Sequence, residues 1–123
     1  MKKLVIAALA LLALTSAAIA ATTATAVVGT GVENRVAVGA ADRFPATVGS
    51  LTCVSEVLGG NGTIKHVWIH GDKEMTTIEL PVKADRWRTW SHKRIQPSWT
   101  GPWRVEVRAA DGTVLAKTDF EIE

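Results

Sequence analysis

The chain reads as an all-β domain: an antiparallel β-sandwich of about seven strands, immunoglobulin-like in the broad sense, with no disulfide. Three observations carry that reading. Short β-branched and aromatic runs alternate with Gly, Asn, Asp and Pro, giving turn signals roughly every 8–12 residues. No stretch beyond residue 26 has the apolar period of an amphipathic helix. The only cysteine, Cys53, permits no intramolecular bridge, and the Cys–Trp–Cys signature of true immunoglobulin domains is absent.

Residues 1–20 read as an export signal. Met1, Lys2 and Lys3 make a basic head, residues 4–14 are Leu, Val, Ile and Ala only, and Ala18-Ile19-Ala20 offers a small-x-small cleavage site. The apolar stretch is shorter than the ~20 residues a spanning helix needs, and Thr15 and Ser16 interrupt it. Cleavage before Ala21 is expected, leaving no transmembrane anchor and a periplasmic or extracellular protein. Residues 21–26 are Ala- and Thr-rich and expected to be flexible. Residues 27–123 then form one sandwich domain.

Residues 25–32 lean towards β structure, and residues 33–49 are loop-rich, with Gly39, Asp42, Pro45 and Gly49. Residues 51–58 make a strand candidate, with Cys53 expected to be buried between Thr52 and Val54. Gly59-Gly60-Asn61-Gly62 is a tight turn before a strand over residues 63–70. Gly71-Asp72-Lys73 turns the chain into residues 75–82, and residues 86–95 follow, ended by Pro97. In residues 102–108, Trp103, Val105 and Val107 share one face while Arg104, Glu106 and Arg108 share the other. Asp111-Gly112 predicts a hairpin into the last strand, where Phe120 and Ile122 point inward.

Charge is unevenly spread. The chain carries 14 Lys and Arg against 12 Asp and Glu. Losing Lys2 and Lys3 with the signal would balance the charge, so nucleic acid is not an expected partner. Residues 83–108 nonetheless hold seven basic and two acidic side chains. Such a stretch either steers an anionic partner or pairs internally with acidic neighbours.

Four of the five tryptophans also fall in this part of the chain, at Trp87, Trp90, Trp99 and Trp103. Alternation turns Trp87, Thr89 and Ser91 to one face and Arg86, Arg88, Trp90, His92 and Arg94 to the other. Trp68, Trp87 and Trp103 are expected in the core. Trp90, flanked by arginines, is either stacked under a guanidinium or forms an aromatic platform with basic flanks. Trp99, between Pro97 and Gly101, is expected to be partly exposed in a loop. The candidate binding residues are therefore Arg86, Arg88, Trp90, Lys93, Arg94 and Trp99.

Other chemistries find less support. His66 and His70 on one strand lie about 13 Å apart, too far to share a zinc ion. Ser91 and His92 are strand neighbours pointing oppositely, so they cannot form a nucleophile–base pair. Asp72, Glu74 and Asp111 occupy turn positions. No cofactor, metal or catalytic residue is expected.

The order of these features resembles a known family. His66-Val67-Trp68, Leu80-Pro81-Val82, the run from Trp87 to Arg94, Gly101-Pro102-Trp103-Arg104 and Asp111-Gly112 up to Phe120 resemble domain-of-unknown-function family 2914, with Asp42-Arg43-Phe44-Pro45 fitting upstream. The resemblance spans about residues 27–123. It implies a small bacterial β-domain and no catalytic residues. The expected role is an exported, non-enzymatic binding or accessory module that takes an anionic polysaccharide or other envelope component on its Trp/Arg surface. An envelope protein bound through an open edge strand or through Cys53 is the alternative, and a hydrolase a distant third.

Overall fold

The computed structural model describes residues 22–123, so the export signal expected over residues 1–20 lies outside the described residues. The described chain is all-β. Its strands are β1 (Thr23–Ala24), β2 (Val27–Gly29), β3 (Gly31–Glu33), β4 (Val36–Val38), β5 (Arg43–Phe44), β6 (Ser50–Leu58), β7 (Gly62–His70), β8 (Lys73–Val82), β9 (Arg86–Arg94), β10 (Gly101–Ala109) and β11 (Val114–Ile122).

Two sheets result. In the first, β6 pairs with β9 along its whole length, from Ser50 opposite Arg94 to Leu58 opposite Arg86. The other side of β6 takes β1 at one end and β2 further along. The second sheet runs β5-β11-β10-β7-β8, antiparallel except where β5 lies parallel to β11. Consecutive strands change sheet between β6 and β7, β8 and β9, and β9 and β10, as in the Greek-key connections of immunoglobulin-like sandwiches.

The segment expected to be flexible starts the first sheet instead. Thr23 and Ala24 pair with Leu58 and Val57, and the Thr25 N–H donates to the Glu56 carbonyl at 3.0 Å. The region expected as loop over residues 33–49 also contains β4 and β5. Asn34 and Arg35 both adopt left-handed backbone (φ 51° and 64°), which makes the tight two-residue turn between β3 and β4.

Inward residues of the two sheets meet in one core. Leu51 and Cys53 from β6 pack with Trp68, Trp103, Val105, Phe120 and Ile122 from the second sheet. Each large aliphatic side chain buried there contributes about 1.5–3 kcal/mol. Trp103 is sandwiched between His70, stacked at 4.7 Å, and Phe120, stacked at 6.0 Å. Cys53 is fully buried, and burial pushes its thiol up to about 12, so the folded chain offers no thiolate for a bond between chains.

Between the sheets runs a line of polar groups. His66 bonds Ser55 through Nε2 at 2.8 Å and Ser91 through Nδ1 at 2.6 Å, and the Trp68 indole N–H donates to Ser91 at 3.1 Å. An indole can only donate, so Ser91 accepts from Trp68, and the neutral His66 ring uses one nitrogen as donor and the other as acceptor between Ser91 and Ser55.

Candidate functional site

The outer face of the first sheet gathers the cationic residues. Cross-strand register puts Glu56 of β6 opposite Arg88 of β9. The Glu56 carboxylate accepts from Arg86 Nε and Arg88 Nε, each at 3.1 Å. Those bonds, from Arg88 first and Arg86 next, hold Glu56 below the usual carboxylate range. The β3–β4 hairpin curls over the same face, and its Arg35 carbonyl accepts from the Arg88 guanidinium at 3.3 Å. Thr52 and Val54 point outward yet are buried, because the hairpin covers this part of the sheet.

Two depressions adjoin there, sharing Arg35, Glu56 and Arg88. One, of about 220 Å³, has an apolar wall of Val27, Val36 and Val54. The other, of about 380 Å³, runs past Arg86 and Trp87 to Trp90. Arg86 and Arg88 share one glutamate, Arg35 lines the rim through its backbone carbonyl, and Trp90, half-buried opposite Val54, supplies an indole at the margin. The arrangement can hold a carboxylate or phosphate by forked hydrogen bonds with an apolar surface alongside.

The expected site residues divide. Arg86, Arg88 and Trp90 come together here, and Arg94 lies exposed further along the same outward row. Lys93 and Trp99 do not join them. Lys93 belongs to the inward row, and its ammonium sits 5.0 Å from the Trp99 ring. That lysine makes the cation–π contact, not an arginine over Trp90, because Glu56 draws Arg86 and Arg88 to itself. Trp99 is half-buried against the core, and its carbonyl accepts from the Trp103 indole at 2.9 Å.

Much of the local basic excess is paired. Arg104 and Arg108 both bond Glu106, at 2.9 and 2.7 Å, and Arg108 also reaches Glu74 at 3.1 Å. Arg104 chiefly, and then Arg108, keeps Glu106 ionised below its ordinary range. Arg35 and Glu56 escaped the sequence reading because only the β6–β9 register and the hairpin bring them to this face.

His66 with two serines has nucleophile–base distances, but His66 and Ser55 are wholly buried and Ser91 nearly so. No substrate carbonyl can reach them. Ser91 and His92 diverge as expected: Ser91 bonds His66, and His92 shares a 2.8 Å hydrogen bond with Thr52 outside. His70 turns to the Thr100 carbonyl at 2.7 Å. Among the described residues no group of three or more His, Cys, Asp and Glu is placed to hold a metal ion. A larger concavity of about 500 Å³ lies on the second sheet, lined by Asp42, Asp72, Asp119 and Glu121 together with Arg43 and Arg104.

Residues 61–122 match a family described as "Protein of unknown function (DUF2914)". None of the curated proteins compared with the chain matches it. Among solved structures, a β-glucosidase from Kluyveromyces marxianus aligns at 8% identity with a TM-score of 0.45, covering 84% of this chain. The chain spans only 14% of that enzyme, too remote a likeness to carry an argument.

Proposed function

Since the chain belongs to the DUF2914 family of proteins of unknown function, its role rests on its own side chains, and we propose that it is an exported, non-enzymatic binding module for an anionic partner. The observation that carries the reading is the meeting of Arg86 and Arg88 on the single carboxylate of Glu56 beside Trp90, with Arg35 lining the same depression. Glu56 acts as an internal counterion that an incoming carboxylate or phosphate displaces. The apolar wall of Val27, Val36 and Val54 gives the bound group a dry flank. Export supports this reading through the basic head, apolar stretch and small-x-small site of residues 1–20.

Tryptophan fluorescence tests it, because Trp87 and Trp90 line the larger depression. Titration with polygalacturonate, and separately with phosphatidylglycerol vesicles, distinguishes a sugar carboxylate from a lipid phosphate. A saturable change with either is expected, weakening as salt rises. Glu56→Gln should tighten binding several-fold, and the double change Arg86→Gln with Arg88→Gln should weaken it by about tenfold or more. Absence of any response from the folded protein to these two probes and to an acidic peptide would overturn the proposal.

A further inference from the structure

The backbone of β9 assigns this face a more specific partner. Its ladder to β6 runs without a bulge, and its parity is fixed at both ends. The Ile95 N–H donates to Gly49 at 2.9 Å, and the Gly59 N–H donates to Asp85 at 2.7 Å. In an antiparallel pair the residues that bond across alternate with those that do not. The odd-numbered residues of β9 therefore face β6. Arg86, Arg88, Trp90, His92 and Arg94 point their N–H and C=O groups off the edge of the sheet. Among the described residues, no strand pairs with that edge.

These same five residues carry the outward side chains, since both alternations have a period of two. An incoming strand would thus meet free backbone groups and the arginine row at once. The edge is also regular. Strand β9 is nine residues long and contains no Pro or Gly. Strand β8, at the edge of the other sheet, is broken by a register shift and bears Pro81.

Charge decides which strand fits. A second copy of β9 laid antiparallel about Trp90 would set Arg86 against Arg94 at both ends of the pair. Like charges directly opposite destabilise a strand pair, so the edge rejects its own copy. A strand with carboxylates on its outward row would place them beside the guanidiniums, about 4.8 Å away across the ladder.

We propose that the open edge of β9 is a β-augmentation site for an extended acidic segment of a partner protein. This rests on the reading of the outer face as an anion-binding surface and names its ligand as a peptide strand. The test is amide hydrogen exchange, followed by NMR on the full chain, with a peptide of alternating Thr and Glu long enough to span β9. Exchange at Arg86, Arg88, Trp90, His92 and Arg94 should slow by about tenfold or more, while the odd-numbered amides, already bonded to β6, change little. The same peptide N-methylated at alternate residues keeps its charge but cannot pair, and should lose that protection. Binding without the alternating protection, or equal behaviour of the N-methylated peptide, overturns the edge site and leaves the anion-binding face standing. So does binding of polygalacturonate or phosphatidylglycerol vesicles but not of the peptide. Failure of all three probes to bind overturns both.

Discussion

His66 shows how far a single buried side chain can set the behaviour of the fold. Burial lowers its pKa from 6.5 to about 4, and both ring nitrogens are already used by Ser55 and Ser91. Below pH 6.5 the unfolded chain takes up a proton that the folded chain refuses, so stability is full above that pH and lost as pH falls towards 4. The loss reaches the order of 3 kcal/mol at the acid end. The carboxylates lowered by their arginines, Glu56 and Glu106, act at lower pH, which leaves the upper part of the window to His66. Urea unfolding across this window should show the slope in the native protein and a flat line in His66→Gln; equal slopes would refute the assignment. Little of this network was legible in the sequence. His66 and Ser91 are 25 residues apart, and nothing in either local pattern points to the other. The inward direction of Trp103, Val105 and Val107 was legible, because alternation along one strand is enough to give it.

At the scale of elements, the six long strands β6 to β11 were readable because each has several alternating residues and a turn signal at its end. Val114–Ile122 closes the second sheet as its pattern predicts. Strands β1, β4 and β5 were not readable, since two or three residues carry no period. The run over residues 25–32 divides at Thr30 for a structural reason. There the chain leaves β2, and the Thr30 N–H donates to Val38 at 2.9 Å, which folds the β3–β4 hairpin back. Gly29 makes that return possible, because a Cβ at this position would press on the Val38 carbonyl oxygen and come within 3.2 Å of the Ala40 nitrogen. Gly29→Ala should cost about 1–3 kcal/mol and loosen the hairpin from the sheet. At Gly31 an added methyl meets only a Val38 side-chain methyl at 3.4 Å, so Gly31→Ala should cost much less. Thermal melts that place the two variants at the same midpoint would refute the close approach at Gly29. The hairpin matters for the site, since it supplies Arg35 and adds Val36 to the apolar wall of Val27 and Val54.

For the whole molecule, the structural unit is larger than the part that matches the family. The matched segment, residues 61–122, contains β9 but omits β6, its strand partner, and omits Ser55, one of the two serines on His66. The arginine-bearing face is likewise shared, with Glu56 and Arg35 supplied from before the matched segment. The sandwich class was legible in the sequence because it follows from the number and spacing of strands. The face that gathers the arginines was only half legible, because alternation gives the row but not what folds over it. The β6–β9 ladder also has a consequence in time. Its pairs, from Leu58 with Arg86 to Ser50 with Arg94, enclose the entire β7–β8 hairpin within their loop. Neighbouring strands can zip early, whereas β6 must wait until β9 has been brought round. Refolding followed by tryptophan fluorescence should therefore take milliseconds to seconds, and a chain that refolds in microseconds would contradict this order of events. Until then β6 stands without its partner, and the inward groups of Leu51, Cys53 and Val57 remain open to water through the slowest step of folding.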